Sequence, residues 1–252
     1  MINSPYSILE ETQDFLVVFK NHSVPSAPGN TPNSCYELVA KDFPEISNVS
    51  GKKAGEGGLI HRLDTETAGL LLFAKNQKFY DLIIKEQEES RFLKYYTAYC
   101  SCFESQLEKI DLKPKSLTSF FRPFGEKGAI VKPIFNLETE TKANKKKCGT
   151  KQYTTNILSI EKQLEKKIYG KTLILFKIKC SIFAGFRHQV RSHLASQNLP
   201  VFGDEKYNLE FSEAKNMLFF ASGISFLGKN YSLNEDELDS IAAETFLASA
   251  TR

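Results

Sequence analysis

The run Leu70-Leu-Leu-Phe-Ala74 constrains this chain more than any other stretch. An unbroken apolar run of that length predicts a strand buried in the interior of a sheet. Immediately before it stand a base, an acid and two hydroxyls: Arg62, Asp64, Thr65 and Thr67. A carboxylate at the mouth of a packed strand is held rigidly and partly desolvated. Catalytic carboxylates need both conditions.

The pattern around that strand predicts more strands and a few helices. Residues 7–20 read as two short strands meeting at Gln13-Asp14, followed by a loop with Pro25, Pro28, Gly29 and Pro32. A short helix is expected over 34–41, with Ser34 as its cap and Leu38 on its apolar face. After the strand at 69–75, Asn76 caps a helix to residue 88. Phe79, Leu82, Ile83 and Glu86 mark its 3.6-residue period. Residues 91–103, rich in tyrosine, read as a strand. Residues 105–133 read as irregular, broken by Pro114, Pro123, Gly125, Gly128 and Pro133. A strand pair is expected at 153–160 and 172–182, joined by the charged connection 161–171. A helix over 185–196 and a late strand over 219–226 complete the series. Strands and helices without a β-α-β rhythm argue for an α+β fold, and no second domain is visible.

Composition narrows the class. The chain has 252 residues, and a 41% hydrophobic share with 25% charged residues is that of an ordinary globular chain. No apolar run approaches the roughly 18 residues that a membrane helix needs. The first residues carry neither a basic nor an apolar leader region, so a cytoplasmic location is expected. Five cysteines form an odd set with no Cys-x-x-Cys pair, which reads as free thiols and no zinc site. Net charge is +3, unevenly spread. Residues 234–252 hold five acids and one base, Arg252, leaving 32 bases against 25 acids in residues 1–233. A moderately basic body is compatible with a polyanionic partner without requiring one. Thr141–Lys151 adds Lys142, Lys145, Lys146, Lys147 and Lys151 with no acid. That stretch is either a solvated loop or an arm that contacts phosphates.

Three of the four histidines (His61, His188, His193) and three of the six arginines (Arg62, Arg187, Arg191) fall in two short segments. Such concentration predicts that the two segments converge on one site. His188 and His193 are five apart, about 140° around a helix, which does not suit a zinc helix. There is no Gly-x-Ser-x-Gly elbow, no glycine-rich dinucleotide loop and no Walker loop. Asp64 then stands as a single carboxylate to be matched with an arginine. A helix over 186–195 would put Arg187 and Arg191 on one face. An arginine opposite Asp64 has two readings: a salt bridge tying helix to sheet, or the charge that keeps a catalytic carboxylate ionised.

Three colinear motifs carry a resemblance. His61-Arg-Leu-Asp-x-x-Thr-x-Gly-Leu-Leu-Leu-Phe-Ala-Lys75, Lys94-x-Tyr96-x-Ala98, and Gly185-x-x-His-Gln-Val-Arg-x-His-Leu-Ala195 with Pro200-Val-Phe-Gly-Asp-x-x-Tyr207 resemble the signature of the RluA-type RNA pseudouridine synthases. The likeness runs from about residue 7 to about residue 227. It implies a pseudouridine synthase fold: a bent, mixed, mostly antiparallel sheet with flanking helices and a central catalytic cleft. It implies isomerisation of uridine in structured RNA, ribosomal or transfer, with no cofactor and no metal. By motif position Asp64 is the catalytic aspartate, Tyr96 packs against the target base, and Arg191 is the base paired with Asp64. Arg62 is associated with the gap left by a flipped nucleotide. His61, Thr67, Arg187 and His188 fall within the same motifs and are expected to contact the substrate. Three departures stand out: Phe186 where the family usually has arginine, Ala68 where it has serine, and Asn21 where proline is common. They motivate the alternative of a catalytically idle RNA-binding protein.

The expected organisation is a catalytic domain over residues 1–233, with no N-terminal S4 module, and an acidic tail over 234–252 able to form a short helix. RNA affinity is then expected from the domain itself, with Lys142, Lys145 and Lys146 as phosphate contacts, and the default assembly is a monomer.

Overall fold

Elements follow one another as β1 (Tyr6–Glu11), β2 (Phe15–Lys20), α1 (Cys35–Asp42), β3 (Ala68–Ala74), α2 (Gln77–Glu88), β4 (Leu93–Phe103), β5 (Lys115–Phe124), β6 (Ile130–Ile134), α3 (Lys142–Lys147), β7 (Tyr153–Ile168), β8 (Lys171–Ile182), α4 (Gln189–Ser196), β9 (Phe219–Phe226), β10 (Lys229–Ser232) and α5 (Glu235–Ala248). This is a computed structural model that describes residues 4–29, 32–211, 214 and 216–249. The chain divides into two units, one of residues 1–94 and 220–233, the other of residues 95–219 and 234–252. The class is α+β, with a mixed, mostly antiparallel sheet.

In the first unit β3 is buried along its whole length and lies between β2, antiparallel, and β9, parallel. Every side chain of β3 is buried, so both of its faces are covered, which is why its sequence is continuously apolar rather than alternating. Gly69 sits at φ +134°, and a Cβ there would stand 2.3 Å from the carbonyl oxygen of Ala221. The close parallel pairing of β3 with β9 therefore requires glycine at this position. Ser34 and Glu37 form a capping box on α1, and the Asn76 side chain accepts from the Phe79 amide to start α2. Helix α2 buries Phe79, Tyr80, Ile83 and Glu86, whereas Leu82 is 43% exposed. The helical period held, but its buried face is centred on Tyr80 and Ile83. Phe79 and Ile83 meet Phe15, Leu70, Leu72, Phe92 and Phe226 in the core of this unit.

In the second unit β8, β7, β5 and β6 pair antiparallel in that order. Two of these strands lie in the stretch expected to be irregular. Lys115–Phe124 alternates exposed and buried side chains up to Phe121, and Pro133 lies in β6, where it opposes Phe121. A proline at a sheet edge removes no essential ladder bond, so it did not break the strand. The charged connection 161–171 is mostly strand as well, since β7 pairs with β8 to Ile168↔Lys171. The lysine run folds as the short helix α3, with Thr141 as its cap.

Helix α5 packs by Leu238, Ala242 and Phe246, spaced four apart. Its acids answer the lysines of β8: Lys177, 4% exposed, meets Asp239 at 2.9 Å and Glu235 at 3.2 Å, while Lys179 meets Glu235 at 2.6 Å. The Tyr99 hydroxyl donates to Asp239 at 2.5 Å. Arg252 lies outside the described residues.

Candidate active site

The loop that carries Asp64 leads directly into β3, and its backbone is tied on both sides of the carboxylate. Before Asp64, the buried Ser26 hydroxyl accepts from the Leu63 amide at 2.9 Å and donates to the Leu63 carbonyl at 2.8 Å. After it, the fully buried Lys20 ammonium donates to the carbonyls of Thr65 (3.0 Å), Val24 (2.7 Å) and Asn21 (3.0 Å). The Thr67 amide closes a turn onto the Asp64 carbonyl at 3.0 Å. Burial pushes the Lys20 pKa down to about 8, countered by Cys35, Glu66 and Asp64. Nearby, Nδ1 of His22 donates to the Glu66 carbonyl at 2.9 Å, and Ser23 donates to the Glu66 carboxylate at 3.1 Å. Asp64 itself is half-buried.

The neighbouring motif residues in this unit differ sharply in access. The Arg62 side chain is 51% exposed and pairs with Glu56 at 3.3 Å. Thr67 is buried, and its hydroxyl has no hydrogen-bond partner among the described residues. Both ring nitrogens of His61 are sealed from solvent and likewise unpartnered. Burial, reinforced by Lys94, lowers the His61 pKa to about 3, so this imidazole is neutral at physiological pH.

In the second unit Tyr96 is buried on β4 with its ring stacked on Phe219, centroids 5.2 Å apart and 9° from parallel. A ring fixed in this way presents a defined face. Arg191, buried on α4, donates through Nε and Nη2 to the two carboxylate oxygens of Asp204, each at 2.7 Å. This is the bidentate geometry that a guanidinium makes best. Asp204 also accepts from the amides of Lys206 (2.9 Å) and Tyr207 (3.2 Å). The Tyr207 ring lies 5.5 Å from the Arg191 guanidinium, and its hydroxyl accepts from the Val131 amide and donates to the Val131 carbonyl.

The helix expected over 185–196 begins only at Gln189. His188 stands before it at φ +55°, in the left-handed region, and the Gln189 side chain accepts from the Phe186 amide at 3.0 Å. Arg187 and Arg191 therefore do not share a helix face. Arg187 is exposed and donates to the Gly128 carbonyl, while His188 bonds through Nδ1 to the Tyr207 hydroxyl at 3.2 Å. His193 is buried between the hydroxyls of Ser119 and Thr155, each at 2.8 Å, and burial pulls its pKa down to about 4. Phe186 stacks on Phe121 at 4.9 Å and 10°, beside Tyr153. An aromatic cluster thus takes up the position where an arginine was the usual residue. Ala68 is fully buried at the start of β3, and Lys142, Lys145 and Lys146 are exposed on α3.

Sequence reasoning missed Lys20, Ser26 and Asp204. Asp204 lay within a quoted motif and its charge was a usable signal. Nothing in the sequence marked Ser26.

Comparison with known proteins gives the same answer from two directions. A family model described as RNA pseudouridylate synthase matches residues 14–196. An uncharacterized RNA pseudouridine synthase of Aquifex aeolicus is 28% identical over 223 residues, covering 88% of this chain and 62% of that protein. A second, from Helicobacter pylori, is 31% identical over 173 residues, 69% of this chain and 60% of that one. Ribosomal large subunit pseudouridine synthase D of Buchnera aphidicola is 25% identical over 84% of this chain and 56% of its own length. The chain thus spans roughly three fifths of the curated relatives it matches. The fold is that of human RNA pseudouridylate synthase domain containing 1, with a TM-score of 0.62 at 18% identity, covering 98% of this chain and 95% of that one. With the model spanning Asp64, Tyr96 and Arg191 in a single match, the chain belongs to the RNA pseudouridylate synthase family.

Proposed function

We propose that this chain isomerises uridine to pseudouridine in a structured RNA, ribosomal or transfer, with Asp64 as the catalytic carboxylate. The observation that carries the reading is the pinning of Leu63 by Ser26 and of Thr65 by Lys20, which fixes the backbone on both sides of Asp64. A carboxylate held this way needs no reorganisation when it acts at the sugar.

The reaction breaks the C1′–N1 bond, turns the uracil and rejoins it through C5. It conserves every atom and needs neither an electron donor nor, in this reading, a cofactor or metal. Reaching the base means flipping the nucleotide from its stack, at a cost of a few kcal/mol. Tyr96, braced by Phe219, packs on the flipped ring. Exposed Arg62 fills the gap left behind. Arg191, oriented by Asp204, is the basic residue of the third motif in this reading. His61, Thr67, Arg187 and His188 line the same motifs, and Lys142, Lys145 and Lys146 contact phosphates on a chain working as a cytoplasmic monomer. Phe186 supports the alternative of an idle RNA-binding protein, because it replaces a charge with a packed ring.

Asp64→Asn separates the two. Pseudouridine formation is expected to vanish while RNA binding survives. Mapping pseudouridines in a deletion strain against its parent identifies the target, and a deletion strain with an unchanged map overturns the enzyme reading.

A further inference from the structure

Three lysines are buried among the described residues, and two have partners that compensate their charge. Lys20 spreads its ammonium over three carbonyls, and Lys177 meets two carboxylates. Lys94, only 8% exposed, has neither kind of partner among the described residues. Its Nζ lies 5.6 Å from the centroid of Phe92, and the His61 ring, with both nitrogens unpartnered, lies 5.5 Å from that same ring.

The other charges of this unit deepen the imbalance. Glu86 is engaged by Arg91 at 2.6 Å and Glu56 by Arg62 at 3.3 Å. The charge that acts on Lys94 is Lys52, of the same sign, whose ammonium reaches Gln87 at 3.3 Å. Gln87 in turn donates to the Ile60 carbonyl, next to His61. Burial and Lys52 together lower the Lys94 pKa to about 8, which leaves the ammonium mostly charged at neutral pH. A dehydrated cation without a counter-ion works against folding.

We propose that Lys94, with Lys52 acting on it, is the seat for a phosphodiester oxygen of the substrate RNA. The proposal rests on the reading of the chain as one that acts on RNA. An anion supplies what the fold omits, a counter-charge for Lys94. Lys94 and Tyr96 stand two apart in β4 and so on one face of the strand.

The test compares wild type with Lys94→Met in the full chain. The probe is a stem-loop RNA with an all-uridine loop, titrated over a range of salt. Lys94→Met is expected to bind about tenfold more weakly at low salt. Its slope of log affinity against log salt becomes shallower by about 0.7–0.9, the loss of one phosphate contact. In denaturant without RNA, the variant is expected to be at least as stable as wild type, because an uncompensated charge is gone. A structural lysine would show the reverse: lower stability and an unchanged slope. Either an unchanged slope or a variant that fails to fold overturns the proposal. If wild type itself shows no salt-dependent RNA binding, the RNA reading falls and takes this proposal with it. If wild type binds and the variant matches it, this proposal alone falls.

Discussion

Ser26 governs the approach to Asp64 by holding Leu63 from 37 residues upstream, through one hydroxyl that both accepts from and donates to it. Ser26→Ala leaves a buried amide and carbonyl without that partner, at an expected cost of about 1–3 kcal/mol in chemical denaturation. Because the loss loosens the loop, single-turnover kinetics should show kcat falling more than KM changes. The place of Asp64 before a buried strand was legible because its motif is contiguous with that strand. The supports of Asp64 were not. Ser26 lies in a proline-broken loop, and Lys20 looks like any lysine that ends an apolar strand. The partner of Arg191 was obscured differently, since Asp204 stands 13 residues on and beyond a turn. The expectation that Arg187 and Arg191 share a helix face failed because His188 takes a left-handed conformation, which no residue count reveals.

At the scale of elements, legibility followed apolar continuity. β2 and β3 are buried along nearly their full length, and their sequences say so. Half-exposed elements were harder to read. β7 carries Glu161, Lys162, Glu165, Lys166 and Lys167 on a strand whose hydrogen bonds to β8 do not depend on side-chain type. Helix α3, all polar or small, offers no apolar period to detect. Helix α5 lies beyond the recognised motifs, yet Phe246 is fully buried, edge-on to Phe202 at 5.4 Å and covered by the Lys166 ammonium at 4.0 Å. Phe246→Ala is expected to cost about 3–5 kcal/mol, read as a lower denaturation midpoint at unchanged slope. A loss of that size would show that the tail belongs to the folded body of its unit. A loss below 1 kcal/mol would show that α5 is dispensable to it.

For the whole molecule, acid is the expected point of weakness, because each unit buries a neutral histidine. His61 in the first unit titrates near 3 and His193 in the second near 4, both held down by burial, against about 6.5 when unfolded. Between those values the unfolded chain binds protons that the folded chain refuses. Stability is therefore present above pH 6.5 and lost as pH falls towards 4, at about 1.4 kcal/mol per pH unit for each histidine. Urea titrations at pH 7 and pH 5 check this, and His193→Gln should flatten the acid limb. A different kind of chemistry is distributed just as unevenly. Cys35, Cys100, Cys102 and Cys180 are buried with their thiols pushed up by desolvation, whereas Cys148 is half-buried at the end of α3. Burial and Glu140 push the Cys148 thiol up as well, so access rather than thiolate population gives a maleimide dye one favoured attachment point among these thiols. That point is next to Lys147, and the dye becomes a ready-made optical sensor for whatever polyanion settles on the lysines of α3.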